Sequence, residues 1–290
     1  MRVAVITPVA GRHGHLRMQR QGLLLSTLPV DSHVVVSMGD RRAADVAVAQ
    51  AEPPTRVVHV EVSDSRLPLA RGRNAGAERA IESDADLLVF LDVDCIPAPD
   101  MVRRYVACAE DDRVPRLLCG PVAYLPPPPP SGYDLDRLNE LADPHPARPW
   151  PAENETLRGG DPQLFWSLSF AVRPDVWTRV GGFCEEYRGY GGEDTDFGQL
   201  AAAAGVRLDW TGGAHAYHQF HPSGDPPVEH VDDILANAQV FFRRWGWWPM
   251  TGWLTEFQRL GLASFDPSDG WRRGPAARGP AAPAGARTDE

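Results

Sequence analysis

Three carboxylates fall within four residues in Gly189-Tyr190-Gly191-Gly192-Glu193-Asp194-Thr195-Asp196-Phe197-Gly198. On a helix starting near Glu193 they spread around the first turn, at the positive end of the helix dipole, which predicts that they stay ionised at neutral pH. An ionised carboxylate on a glycine turn suits a general base that meets an incoming hydroxyl. The same residues also suit a plain acidic helix start. A second acidic pair, Asp92 and Asp94, closes the apolar run Leu87 to Leu91. Strand alternation points both the same way and offers paired oxygens to a hard cation, although strand-end aspartates also cap helices. His215, His218 and His221 recur every three residues, three of the nine histidines within seven positions, as a ligand cluster would. Carboxylate and imidazole together favour Mn²⁺, with Mg²⁺ the alternative. A zinc site of the three histidines alone competes, but this spacing does not aim all three rings at one point.

These residues need elements to position them. The first half alternates strands and helices: strands over 2–6, 33–37, 56–60, 87–91 and 117–124, and helices over 15–27, 68–82 and 100–109. Repeated strand–helix units imply a mainly parallel sheet with helices on both faces, whose ligands bind beyond the C-terminal strand ends. The pattern breaks at Pro126 to Pro130, and 126–161 reads as an insert, either a functional lid or disordered. A strand over 164–172 follows, then helices over 174–180 and 193–204, a strand over 206–210 and a helix over 228–244. After Asp266 the composition turns to Pro, Ala, Gly and Arg, as in a disordered tail. The expected organisation is therefore a catalytic domain over 1–222, a helical extension over 223–265 and a tail over 266–290.

The net charge of −10 argues against nucleic acid as a partner. All 29 basic residues are arginine, so Schiff-base and P-loop lysines are excluded. Cys95, Cys108, Cys119 and Cys184 form no CxxC pair, and no stretch approaches the ~20 apolar residues of a membrane span, which together predict a soluble, cytoplasmic protein. The late cluster Trp245, Trp247, Trp248 and Trp253 leaves three readings open: a buried patch, the wall of an acceptor cleft, or peripheral membrane contact.

In combination these motifs resemble the family-2 glycosyltransferases of GT-A fold, in the branch similar to the β-1,4-galactosyltransferase catalytic domain. The resemblance covers about Arg2 to Pro222 and rests on Asp92-Val93-Asp94, Gly191-Gly192-Glu193-Asp194 and a histidine after the next strand. The 25 residues from Glu193 to His218 match the family's interval, so the resemblance selects His218 as the metal ligand and leaves His215 and His221 in supporting or surface positions. It implies an α/β GT-A fold with a C-terminal helical extension, and a metal-dependent inverting transfer of a sugar from a nucleotide-sugar, a UDP-sugar foremost. The acceptor hydroxyl would belong to a glycan, a lipid-linked or a small molecule. Asp94 would bind the metal, with Asp92 facing metal and ribose. Asp194 would be the base and Glu193 would orient the acceptor, while Asp196 supports the turn. Thr7, Pro8 and Val9 resemble the uridine-side loop, and Asp40 the acid that reads the base. Arg73 and Asn74, in Ala70-Arg71-Gly72-Arg73-Asn74-Ala75-Gly76, resemble a helix start that meets the donor. Tyr190 and Trp166 could stack on sugar faces, although Trp166 in an apolar strand suits core packing better.

Three rival readings remain. A haloacid-dehalogenase-like phosphatase also carries Asp-x-Asp at a strand end, but on its first strand. A sugar-nucleotide pyrophosphorylase needs a Gly-rich basic N-terminal loop, which Gly11-Arg12-His13-Gly14 only faintly echoes. A non-catalytic nucleotide-sugar or glycan-binding module would have lost the base or the metal acids, and both are present.

Overall fold

A computed structural model describes residues 1–49, 51–110, 113–222 and 224–274. It divides into two compact units, Met1–Pro222 and Ser223–Glu290. In the first unit the chain runs β1 (Val3–Val9), α1 (His13–Leu24), β2 (Ser32–Met38), α2 (Arg41–Val48), β3 (Thr55–Val60), α3 (Leu69–Glu82), β4 (Leu87–Leu91), β5 (Cys95–Pro97), α4 (Met101–Ala109), β6 (Arg116–Cys119) and β7 (Val122–Tyr124). It continues through α5 (Leu138–Leu141), β8 (Asp143–Pro144), β9 (Thr156–Arg158), β10 (Ser169–Val172), α6 (Pro174–Val180), α7 (Glu193–Ala203), β11 (Arg207–Thr211) and β12 (Ala216–His218).

Eight strands form the main sheet in the order β3-β2-β1-β4-β10-β6-β11-β9. The run β3-β2-β1-β4 is parallel, as is β6 with β11, while β10 and β9 lie antiparallel to their neighbours. Alternation along β1 and β4 divides the core into two layers. Ala4, Ile6, Leu88 and Phe90 pack with α3, α6 and α7, whereas Val3, Val5, Leu87 and Val89 pack with α4. Both faces are thus covered, which is why these strands read as unbroken apolar runs. A smaller sheet, β5-β12-β7-β8, stands beside the C-terminal ends of the main strands.

Several boundaries differ from the sequence reading. The expected strand over 117–124 divides between the two sheets at Gly120-Pro121. A side chain on Gly120 would meet the Ala214 carbonyl, and Pro121 has no N–H to continue a ladder. Of the expected strand over 164–172 only β10 forms. Pro162–Leu164 makes a single 3₁₀ turn, capped by the Asp161 carboxylate accepting from the Gln163 N–H at 2.9 Å, and Trp166 lies in the following loop. The 126–161 insert is neither structureless nor detached. Its strands β8 and β9 pair with β7 and β11, but at two and three residues they are too short to show a period-two pattern.

The second unit holds α8 (Val231–Trp245), α9 (Thr251–Arg259) and the hairpin β13 (Ala263–Asp266)–β14 (Gly270–Arg273). The hairpin carries ordered structure into the range assigned to the tail, whose residues 275–290 lie outside the described residues. Val231, Ile234, Leu235, Leu254 and Phe257 form its core, with Trp248 and Trp253 packed against them and Trp247 edge-on to Phe241. Trp245 also lies 6.4 Å from Phe241, so all four clustered tryptophans make ring or core contacts within this unit. No helix among the described residues is long and apolar enough to cross a membrane.

Candidate active site

The parallel order reverses direction around β1 and β4, and a crevice opens beyond their C-terminal ends, where doubly wound sheets bind ligands. After β4 the chain turns at Asp92. The Cys95 N–H donates to the Asp92 carbonyl at 2.8 Å, and the Gln19 amide of α1 donates to the carbonyls of Asp92 and Cys95 at 2.7 and 3.1 Å. The small sheet brings the histidines to this turn. β12 pairs with β5 so that His218 faces Cys95, and the next N–H, of Gln219, donates to the Asp94 carbonyl at 2.7 Å.

Asp94 Oδ2 lies 3.6 Å from both His218 Nε2 and His221 Nε2, and these three donor atoms fall within 4.8 Å of one another. Burial opposes charge on Asp94, yet His221, His218 and Arg12 hold it well below the usual carboxylate range. Burial lowers the pKa of His218 and favours the neutral imidazole that a metal requires. Arg12, in a left-handed conformation at the start of α1, donates to the same Oδ2 and supplies the positive charge this carboxylate seeks. One carboxylate and two imidazoles fit a divalent transition ion and suit Mn²⁺ better than Mg²⁺, which takes oxygen ligands.

The structure therefore enlarges the predicted ligand set. His221, assigned a supporting or surface position, stands beside Asp94 as close as His218 does. His215 is excluded: its carbonyl accepts from the Ala98 N–H at 3.0 Å and its ring stacks on Trp150, with centroids 4.5 Å apart. A spacing of three did not aim three rings at one point, but it did aim two. Asp92 leaves the metal cluster as well. Its Oδ1 accepts from Arg73 Nη2 at 3.0 Å, and burial raises its pKa to about 6 despite Arg73.

Arg73 is the centre of a second arrangement. Only 3% exposed, its other nitrogen, Nη1, donates to Glu193 Oε1 at 3.1 Å, so one guanidinium ties the β4 turn to the acidic turn before α7. Gly191 and Gly192 both have φ of +92°, a conformation that L side chains rarely adopt, which explains the glycine pair before Glu193. Glu193 is buried, and its Oε2 has no hydrogen-bond partner among the described residues. Asp194 is half-buried and accepts from the Thr195 N–H at 2.7 Å. Burial, together with the adjacent Glu193, raises its pKa to about 7. The expectation that these acids all stay ionised is corrected for Asp194, where lost solvation outweighs the helix dipole. Asp196 is fully buried and accepts from the Tyr187 hydroxyl at 3.2 Å, as a supporting residue would.

The residues matched to the nucleotide site fare unevenly. Thr7, Pro8 and Val9 are all buried. The Thr7 hydroxyl bonds Gln19 and His33, and Val9 packs in an apolar cluster, so their side chains hold β1 in place. Asp40 caps α2 by accepting from the Ala43 N–H and also accepts from the Gly11 N–H at 2.8 Å, fastening the loop after β1. The Asn74 amide exchanges hydrogen bonds of 2.9 Å with the Phe183 backbone and is occupied as a tether. Arg71 pairs with Glu185 on the surface. Sequence reasoning missed Arg12, whose only signal was the Gly11-Arg12-His13-Gly14 loop. Tyr190 is 40% exposed at the acidic turn, while Trp166 is half-buried with its ring edge-on to His145 at 4.8 Å.

Residues 163–222, which contain α7 and both cluster histidines, match the family described as the N-terminal domain of galactosyltransferase. Validoxylamine A glucosyltransferase of Streptomyces hygroscopicus subsp. limoneus is 29% identical over 76% of this chain, and the chain spans 51% of that protein's length. Among solved structures, TarS 1-349 of S. aureus in complex with UDP-GlcNAc superposes with a TM-score of 0.57 at 12% identity, covering 89% of this chain and 78% of that one. GalNAc-T7 with UDP, GalNAc and Mn²⁺ gives a TM-score of 0.57 at 16% identity over 80% of this chain and 48% of that one. The fold is that of the GT-A glycosyltransferases. The chain is similar to this family in sequence over residues 163–222, where a galactosyltransferase-like domain fits. The Asp-x-Asp turn follows the fourth strand of this fold, which removes the dehalogenase-like reading.

Proposed function

We propose that this protein is a metal-dependent inverting glycosyltransferase that moves a sugar from a nucleotide-sugar, foremost a UDP-sugar, to an acceptor hydroxyl. The observation that carries this reading is the pairing of two carboxylate sites across Arg73, one beside a two-histidine cation site and one on the glycine turn. Asp94, His218 and His221 would hold the ion, Mn²⁺ by donor type. When bound, the ion supplies positive charge against the departing diphosphate. Asp194, with a pKa raised to about 7, would take the proton from the acceptor hydroxyl as it attacks the anomeric carbon opposite the leaving group. Glu193 Oε2, buried and unpaired, would accept a hydrogen bond from the acceptor and orient it. Tyr190 would offer its ring to a sugar face. The named relatives that bind UDP-GlcNAc, or UDP with Mn²⁺, support this donor class. The absence of a disulfide among the described cysteines accords with a reducing, cytoplasmic setting.

The test is Asp194→Asn. Transfer should fall by at least three orders of magnitude while UDP binding in the presence of Mn²⁺ is retained; undiminished turnover removes Asp194 as base. Determination of the product's anomeric configuration tests inversion, and retention of the donor's configuration would refute it.

A further inference from the structure

Arg148 has the least satisfied charge among the described residues. It is 7% exposed, and none of its three guanidinium nitrogens has a hydrogen-bond partner. Among the described residues no carboxylate pairs with it; the groups that act on its charge most strongly after burial are Cys119, Tyr124, Tyr105 and Cys95, all neutral at pH 7. Its contacts are aromatic, with the guanidinium carbon 4.8 Å from the centroid of Trp210 and 5.3 Å from that of Trp166. Such contacts are worth about 2 kcal/mol when desolvated, whereas an unpaired buried ion costs several. Folding alone does not account for a cation in this position.

Its surroundings indicate what it is for. Arg148 belongs to the insert, and a line of ring contacts runs from it to the cation site. Trp166 lies against His145 at 4.8 Å, His145 against Tyr124 at 5.8 Å, and Tyr124 against His218 at 4.9 Å. His145 and Trp166 are only half-buried, while the guanidinium nitrogens are fully enclosed, so a ligand would reach them only by displacing this layer. A planar fork of donors matches a planar two-oxygen acceptor, and one positive charge in an apolar setting is balanced by a monoanion without leaving excess charge.

We propose that Arg148 is the receptor for a carboxylate carried by the acceptor, so that the acceptor is an acidic molecule such as a sugar acid. This rests on the transferase reading for the word acceptor, while the anion site itself stands on Arg148 alone. The test is thermal unfolding in EDTA at constant ionic strength, with glucuronate, glucose, glucose 6-phosphate and acetate as probes. Glucuronate should raise the melting temperature by about 5–10 °C at roughly 100-fold its dissociation constant, and glucose should not. Arg148→Met should abolish this rise and be no less stable than the wild type without ligand, since an apolar side chain replaces an unpaired charge. Arg148→Lys, which keeps the charge without the fork, should bind glucuronate at least tenfold more weakly and serves if the Met variant does not fold.

A glucuronate response retained in the Met variant, or absent from the wild type, overturns the site. An equal response to acetate overturns its assignment to the acceptor, and a larger response to glucose 6-phosphate overturns the carboxylate class. UDP binding with Mn²⁺, measured in parallel, should be unaffected by either variant; its absence from the wild type would count against the transferase reading instead.

Discussion

Replacing Arg73 with methionine removes the charge that two buried carboxylates share while keeping most of the side-chain volume. Two charge-assisted hydrogen bonds, of 3.0 and 3.1 Å, are lost, and each such bond is worth about 1.5–3 kcal/mol. Truncating one member of a buried ion pair costs about 3–5 kcal/mol, because the remaining charge is left uncompensated. For a domain of this size that lowers the melting temperature by roughly 6–20 °C, at about 2–4 °C per kcal/mol. The dependence on pH identifies the cause. Asp92 already stands near 6 with Arg73 in place, and without it Asp92 rises further. A carboxyl whose folded pKa is raised adds stability at low pH and loses it as pH rises through that value. The deficit of Arg73→Met should therefore be largest at pH 8 and shrink towards pH 5. Thermal unfolding in EDTA over this range measures it. A deficit below 1 kcal/mol at pH 8, or one that grows on acidification, would refute the account.

Other perturbations isolate the remaining parts. His218→Ala and His221→Ala should each weaken Mn²⁺ binding by at least tenfold, read by the loss of the free-ion electron paramagnetic resonance signal on titration, whereas His215→Ala should leave it unchanged. Because Asp194 must be ionised to act as base and its pKa is about 7, kcat/KM should rise with pH through that value and then level off. The same raised pKa makes ionisation a burden on the fold that builds from about pH 4 to pH 7, so Asp194→Asn should melt higher than wild type at pH 8 and lose that advantage progressively towards pH 4. Gly76→Ala should destabilise by about 1–3 kcal/mol in urea unfolding, since the added methyl meets Ile6 and Val36 where α3 lies on the sheet.

The parallel half of the fold was legible because strands buried on both faces are apolar throughout and the helices between them are long enough to show their period. The small sheet was not. β5, β7, β8 and β12 have two or three residues each and are held by pairing across the chain, which no local pattern records. The site divides along the same line. Asp94, Glu193 and Asp194 announce themselves by type and spacing. Whether His218 or His221 approaches Asp94 depends on the β5–β12 register, and local spacing carries no information about it. Arg12 was hidden for another reason: among 29 arginines nothing local marks the one that faces Asp94 inside the crevice, whereas Arg73 was marked only by its motif and its link between the two acidic turns was not legible.

Arg73 also alters what the two acidic motifs mean. Under the proposed function, Asp92-Val93-Asp94 would belong to the donor site and Gly191-Gly192-Glu193-Asp194 to the acceptor site. A single guanidinium between Asp92 and Glu193 makes them one electrostatic unit, in which the charge state of either motif is felt by the other. Cationic charge arriving near Asp92 would join Arg73 in balancing these acids, and would lower the pKa of Asp194. The pH at which kcat rises, which reports the liganded enzyme, should then lie below the pH at which kcat/KM rises. Occupation of the donor site would ready the base, whereas an empty donor site would leave Asp194 about half protonated at neutral pH.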